Sequence, residues 1–125
     1  MIAWNGSREA SRAVHDALPL LALAEEVTVL AMAPAGPRRR AAEPANSDAL
    51  IRHLAEHGVA ASADRLMFDA STIEPIDRLL SYLADSSADL LIMGAAGQQL
   101  GRAAAKRSLT GQVLAQMTVP ILLSY

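Results

Sequence analysis

The chain has 125 residues, 52% hydrophobic and 19% charged, a balance that excludes a disordered tail and predicts one globular domain spanning residues 1–125. Its formal net charge of −2 argues against nucleic-acid binding, and the lack of cysteine excludes disulfides and Cys-based zinc sites. Neither a membrane span, which takes about 18 apolar residues, nor a signal peptide is recognisable, so we expect a cytoplasmic protein without a membrane partner.

The first predicted element is a short strand from Met1 to Trp4, which ends at the turn signal Asn5-Gly6. Ser7 then caps a helix whose apolar residues recur at helical spacing: Ala10, Val14, Ala17, Leu18 and Leu21. Pro19 lies inside this pattern, so we expect the helix to be kinked or to end early there.

The middle of the chain alternates between apolar and amphipathic runs. Val27 to Met32 is typical of a strand buried on both faces, and a loop rich in Pro and Gly follows from Pro34 to Pro44. Asn46 to His57 has helical periodicity with Gly58 as its stop signal. Val59 to Phe68 has the partial alternation of a strand.

The last part of the chain continues this alternation. Ser71 to Glu74 matches a capping box, so we expect a helix to start there. Leu90 to Met93 is a predicted strand, Ser108 to Met117 a predicted helix and Val119 to Ser124 a final strand. The resulting β-α-β-α-β-α-β-α-β order predicts an α/β fold, an open five-stranded parallel sheet with helices on both faces.

A candidate anion site follows the fourth predicted strand. Gly94 and Gly97 have no Cβ, so their backbone can approach a phosphate closely, and the helix starting near Ser108 adds unpaired N–H groups. The charged residues after Asp89 are all cations: Arg102, Lys106 and Arg107. In such sheets ligands bind where the strand order reverses, so we expect the turn at Asn5 to meet this loop. The alternative is structural, with Gly94 as a turn residue and Ser108 as a helix cap.

Three segments resemble the universal stress protein family, and together the resemblance covers nearly the whole chain. "AWNGSREASRAV" is similar to the family's first strand and helix, "ADLLIMGAAG" to its fourth strand and glycine loop, and "MTVPILLSY" to its last strand. In the family's nucleotide-binding pattern, Gly-x2-Gly-x9-Gly-[Ser/Thr], Gly94, Gly97 and Ser108 match, whereas Arg107 stands at the third glycine. The resemblance implies the strand order 3-2-1-4-5.

The resemblance also implies a function and a site. It implies a domain that binds ATP in a stress-response or signalling role and is non-catalytic or weakly hydrolytic. Adenine and ribose would lie near the ends of the first two strands, and the phosphates would lie along the glycine loop and the following helix start. The implied cofactor-binding residues are Ala3, Trp4, Asn5, Met32, Met93, Gly94, Gly97, Arg107, Ser108 and Leu109. From its position alone, Trp4 is either core filler or a stacking partner for adenine.

A second function stays open beside the first. Members of the family form dimers, frequently through the terminal strand, and the apolar segment from Val119 to Ser124 is consistent with such pairing. The alternative is therefore a homodimeric protein–protein interaction module that has lost nucleotide binding. We predict neither a metal site nor a catalytic residue, because His15, His53 and His57 are scattered and neither an HExxH nor a Gly-x-Ser-x-Gly motif occurs.

Overall fold

A computed structural model of the chain describes residues 1–34, 47–69, 74–95 and 108–125. Within these ranges the strands are β1 (Ile2–Trp4), β2 (Val27–Pro34), β3 (Ala61–Phe68), β4 (Leu91–Gly94) and β5 (Ile121–Ser124). The helices there are α1 (Arg8–Leu21), α2 (Ser47–Glu56), α3 (Pro75–Asp85) and α4 (Leu109–Gln116). The strands form one parallel sheet of order β3-β2-β1-β4-β5, which confirms the predicted fold class and strand order.

The central strands of the sheet are buried on both faces, and successive strand residues point to opposite sides. Val29 packs with α1 and α2 in one core cluster, whereas the adjacent Leu30 packs with α3 and α4 in another. We call these sides the α1–α2 face and the α3–α4 face. Each fully buried side chain of this size contributes about 1.5–3 kcal/mol to folding, so burial of both faces holds the sheet in place.

Helix α1 continues past Pro19, at which we expected it either to be kinked or to end early. Pro19 lies inside the helix, which continues to Leu21. Proline removes one helical hydrogen bond, but Leu21 is buried at the end of the same apolar stripe. Burial of this last turn against the core therefore offsets the cost, and the expected early end is wrong.

The predicted capping box at the start of α3 is also wrong. Glu74 is the N-cap residue itself, with extended backbone angles (φ −63°, ψ 139°) and no side-chain capping hydrogen bond. A capping box needs its glutamate three residues inside the helix. Pro75 occupies the first helical turn instead, where its fixed φ and missing N–H cost nothing, so the proline and not Ser71 marks the helix start. Ser71 lies outside the described residues.

Gly58 ends α2, as predicted from the sequence. Its φ of +76° lies in the left-handed region that favours glycine. The Gly58 N–H donates to the Ala55 carbonyl (3.0 Å) and the Val59 N–H donates to the Leu54 carbonyl (2.9 Å). These bonds satisfy carbonyl groups that the helix end leaves open, and they turn the chain toward β3.

Candidate functional site

The candidate site lies where the strand order reverses, between β1 and β4. Ala3 of β1 pairs with Met93 of β4, and Ile2 pairs with Ile92. Both strands end within two residues of this register, so the segments after Trp4 and Gly94 leave the sheet from neighbouring central strands. This is the position at which ligands bind to open parallel sheets, and the adjacency expected from the sequence is present.

The turn after β1 is held by its own polar side chains. Asn5 Oδ1 accepts a hydrogen bond from the Ser7 N–H (3.0 Å), and Gly6 has a φ of +71°. Ser7 Oγ accepts from the Ala10 N–H (3.1 Å) and caps α1 as predicted. The Asn5 oxygen is thus committed to shaping the turn, which fixes the side chain at the mouth of the site.

Gly94 at the end of β4 lies directly against the backbone of α1. An ideal Cβ on Gly94 would lie 2.4 Å from the Ala10 nitrogen and 2.6 Å from the Glu9 carbonyl carbon. Both are backbone atoms that cannot move away independently, so only glycine allows α1 to pack this closely on β4. The glycine therefore has a packing role, in addition to the close approach to phosphate that we predicted for it.

The helix start predicted at Ser108 is present. Ser108 is the N-cap of α4, and its Oγ accepts a hydrogen bond from the Gly111 N–H (3.1 Å). The first turn of α4 carries no acidic side chain, so its partial positive charge is not neutralised from within the helix. This capping bond is what the structural alternative predicts for Ser108, and the uncompensated helix dipole is what remains to attract an anion.

The predicted site residues on the strands divide between the two faces of the sheet. Ala3, Met32, Met93 and Leu109 all pack with the cluster on the α3–α4 face. Trp4 packs with the cluster on the opposite, α1–α2 face. The register explains the division, because Trp4 follows Ala3 and points to the other side. A ligand on the α3–α4 face would therefore lie on the side of the sheet opposite to the Trp4 ring.

Two of the ten predicted site residues, Gly97 and Arg107, lie outside the described residues. The cations Arg102 and Lys106 also lie outside them. Their predicted role at the phosphates therefore stays a prediction.

A pocket opens on the α1–α2 face beside the end of β1. It has a volume of about 280 Å³, and its described walls come from β1, α1 and α2: Trp4, Ser11, Val14, Leu50 and His53. Apart from Trp4, none of these residues was predicted from the sequence to bind a ligand. Helical periodicity places Val14 and Leu50 in the core, and nothing in the sequence shows that two helices leave space between them.

The indole nitrogen of Trp4 is an unpaired donor. Trp4 Nε1 is buried and has no hydrogen-bond partner among the described parts of the chain. A buried N–H without an acceptor costs about 1–3 kcal/mol, so the structure alone gives no reason for tryptophan over phenylalanine at this position.

Residues 1–34, 47–69, 74–95 and 108–125 contain no group of three His, Cys, Asp or Glu side chains that could hold a metal ion. None of the helices described there has the length and apolar character needed to cross a membrane.

Comparisons with known proteins identify the fold. No family model matches the chain, and no curated protein sequence matches it. Several solved structures do. A universal stress protein in complex with cAMP superposes with a TM-score of 0.71 at 18% identity, covering 99% of this chain and 94% of the other. A universal stress protein from Archaeoglobus fulgidus gives 0.72 at 18% identity, covering 98% and 90%. A protein of the same family from Burkholderia pseudomallei gives 0.63 at 20% identity, covering 98% and 91%.

These similarities extend over nearly the whole chain and share one architecture. The chain has the fold of the universal stress proteins, and the resemblance predicted from its sequence is confirmed at the level of the fold.

Proposed function

We propose that the chain is a member of the universal stress protein family that binds an adenine nucleotide, ATP, in a cytoplasmic stress-response or signalling role. The single observation that carries the proposal is the pairing of Ala3 with Met93, which brings the ends of β1 and β4 together at the switch point. Two further facts support it. The chain has the fold of the universal stress proteins, and one of the similar structures is a complex with an adenine nucleotide, cAMP. The proposed role is binding, without a catalytic residue.

The proposed nucleotide lies on the α3–α4 face of the switch point. Ala3 and Met32 form an apolar floor for the adenine and ribose, beside the Asn5 turn. The phosphates follow Gly94 toward the N-terminus of α4 at Ser108, where the helix dipole favours negative charge and no acidic side chain of the first turn opposes it. Gly97 and Arg107 complete the proposed phosphate site, and Met93 and Leu109 support it from the core.

The test is a thermal-unfolding titration of the purified protein with ATP, ADP, AMP, cAMP and, as the control for the base, GTP. A ligand that binds only the folded state adds about 2.7 kcal/mol of stability at 100 times its Kd. We expect a concentration-dependent rise in Tm with the adenine nucleotides and a smaller rise with GTP. An unchanged Tm at millimolar concentrations of every adenine nucleotide contradicts the proposal.

Arg107→Gly then tests the departure from the family pattern. If the guanidinium contacts phosphate, this variant binds ATP more weakly than the unmodified protein but binds adenosine equally well. Tighter ATP binding would instead show that Arg107 obstructs the phosphate site.

A second candidate function is homodimerisation through the segment from Val119 to Ser124. The two edge strands of the sheet differ in character. Edge strand β5 carries the uncharged side chains Ile121, Leu122 and Leu123, whereas edge strand β3 exposes Asp64 and Arg65. Charged side chains on an edge disfavour pairing with another strand, so β5 is the edge suited to association.

This association is tested by measuring the molar mass of the protein by light scattering as it elutes from a gel-filtration column. We expect the mass of a dimer, and we expect Leu122→Glu to give a monomer. Met67→Glu places the same charge on the other edge strand, where Met67 is already exposed, and should leave the dimer intact. A monomeric mass for the unmodified protein removes this candidate.

A further inference from the structure

The pocket beside Trp4 lies on the side of the sheet opposite to the proposed nucleotide. Trp4 belongs to the cluster on the α1–α2 face, and the pocket's other described walls come from α1 and α2. The proposed nucleotide site is on the other face, since its floor, Ala3 and Met32, and its core supports, Met93 and Leu109, all belong to the α3–α4 face. The sheet thus separates the two places, and a molecule in the pocket is a different molecule from one at the start of α4.

The walls of this pocket determine the kind of molecule that fits. Trp4 and His53 present aromatic rings, and Val14 and Leu50 present aliphatic groups. None of the described wall residues is Lys or Arg, so nothing on these walls compensates the charge of a phosphate or carboxylate. Aromatic rings pack favourably against other aromatic rings, so the walls favour an uncharged planar ring system.

The volume of the pocket and the hydrogen-bonding groups on its walls further restrict the class of ligand that fits. A closed apolar cavity of about 150 Å³ holds one benzene ring. This pocket has about 280 Å³ but is partly open to solvent, so it accommodates one or two fused rings with one edge in water. Ser11 Oγ donates to the Ser7 carbonyl (3.0 Å), which leaves its lone pairs as acceptors toward a ligand. An imidazole ring such as that of His53 offers, in its neutral form, one donor and one acceptor. A ring N–H or O–H on the ligand would therefore find a partner.

We infer that the pocket between α1 and α2 is a second ligand site, which binds a small, uncharged, bicyclic heteroaromatic compound through Trp4, His53 and Ser11. The site is independent of the nucleotide. The protein would thereby hold an adenine nucleotide on one face of the sheet and an aromatic metabolite on the other.

Benzimidazole is the probe for this site, since it has two fused rings and an N–H group. It is titrated into ¹⁵N-labelled protein at mildly alkaline pH, where the probe is neutral. We expect saturable amide shifts at Ser11, Val14 and Leu50, and none at Ser108 or Leu109. Shifts that do not saturate, or that spread evenly over the chain, overturn the inference.

Two variants and one matched control locate the binding. Ser11→Phe fills the pocket from an exposed position and should reduce affinity roughly tenfold. His53→Ala removes one aromatic wall and should weaken binding about fivefold, the change expected from losing one aromatic pair. His57→Ala is the control, because His57 lies beside His53 (ring centroids 4.5 Å apart) but is not a wall of the pocket. Equal effects of the two histidine substitutions, or an unchanged affinity of Ser11→Phe, overturn the inference.

Competition separates this site from the nucleotide. Saturating ATP should leave the affinity for benzimidazole unchanged. Displacement by ATP would show that the pocket is part of the nucleotide site and would overturn the second site while supporting nucleotide binding. Benzimidazole binding without any rise in Tm from ATP would support the second site and contradict nucleotide binding. The two proposals can therefore fail separately.

Discussion

The hydroxyl of Ser124 donates a 2.8 Å hydrogen bond to the carboxylate of Asp16, joining edge strand β5 to the middle of α1 across 108 positions of sequence. Ser124 is only 8% exposed, so the bond lies at the boundary of the core. Arg12, one turn earlier in α1, donates to the Tyr125 carbonyl (2.6 Å). Side chains of α1 thus hold the end of β5, whose backbone is bonded to a neighbouring strand on one side only.

Removing this bond should destabilise the fold by an amount that a double-mutant cycle can measure. We expect Ser124→Ala to lower the free energy of unfolding by about 1–2 kcal/mol, because a hydrogen bond to a charged group is lost and the serine site is nearly buried. Asp16→Ala should cost at least as much, since it leaves the nearly buried Ser124 hydroxyl without its acceptor, whereas Ser124→Ala leaves an exposed carboxylate that water can solvate.

Urea unfolding of both single variants and of the double variant gives the coupling, for which we expect about 1 kcal/mol. Ser62→Ala, at an exposed serine of β3, is the control and should change stability by less than about 0.5 kcal/mol. Additive single effects would mean that the bond between Ser124 and Asp16 does not form in solution.

Two glycines should respond to the same substitution for different reasons. Gly94→Ala places a Cβ 2.4 Å from the Ala10 nitrogen, so α1 must move away from β4, at a cost of about 1–3 kcal/mol. Gly58→Ala meets no atom within 4 Å but keeps a φ of +76°, for which a residue with a Cβ pays about 1–2 kcal/mol.

Crystal structures and unfolding measurements of both variants separate the two causes. The α1 backbone should shift in Gly94→Ala and stay in place in Gly58→Ala. A Gly94→Ala protein with unchanged stability and an unmoved α1 would contradict the packing role of this glycine.

Local pattern predicted most of the fold because each element carries its own signal. Ser7 and Ser108 mark helix starts and Gly58 a helix stop, and the structure has all three. The wrong predictions at Pro19 and Glu74 have one cause. In each case the rule used, that proline ends a helix or that Ser-x-x-Glu starts one, leaves out an interaction that has the larger effect. At Pro19 that was burial of Leu21 in the core, and at Glu74 it was the following proline.

The candidate site was predicted in position but not in detail. The reversal of strand order follows from the order of elements, so the meeting of β1 and β4 was predictable. Strand alternation predicts that Trp4 and Ala3 point to opposite faces of the sheet. It does not predict which of the two faces each residue occupies, because that depends on how the short strand β1 is placed in the sheet. The pocket depends on the space between α1 and α2, which no sequence pattern encodes.

The two serine caps allow helix stability to be separated from ligand binding. Ser7→Ala and Ser108→Ala each remove a hydroxyl that accepts a 3.1 Å bond from a first-turn N–H. Each should lower the free energy of unfolding by about 1 kcal/mol. Ser108→Ala should in addition weaken ATP binding, because α4 begins at the proposed phosphate position and α1 does not.

Calorimetric titration of ATP into both variants makes the comparison at a temperature where both are fully folded. Equal ATP affinities in the two variants would mean that Ser108 is a structural cap only. A loss confined to Ser7→Ala would move the phosphate position to the start of α1.

The hydrogen bond between Tyr82 of α3 and Asp64 of β3 should make stability depend on pH at both extremes. Tyr82 Oη donates to Asp64 Oδ2, and the Arg65 N–H donates to Asp64 Oδ1 (2.7 Å). These bonds lower the pKa of Asp64 below its ordinary 3.8. The same carboxylate, and then partial burial, raise the pKa of Tyr82 from 10.0 to about 12.

The signs of the two shifts define the pH window in which the pair stabilises the fold. The contribution of Asp64 is complete above its ordinary pKa and is lost as the pH falls through its lowered value. The contribution of Tyr82 is complete below pH 10 and is lost as the pH rises toward about 12. The stability difference between the unmodified protein and Tyr82→Phe should therefore be largest between these limits and shrink outside them.

Absorbance titration of tyrosine ionisation in a Tyr125→Phe background measures the pair directly, because Tyr82 is then the only tyrosine in the chain. We expect a midpoint near 12 while circular dichroism shows the protein folded, and a lower midpoint in Asp64→Asn because the carboxylate is gone. Ser62→Ala, elsewhere on the same strand, serves as the control and should keep the high midpoint. A midpoint at the ordinary value of 10.0 in the folded protein would show that Tyr82 and Asp64 do not bond in solution.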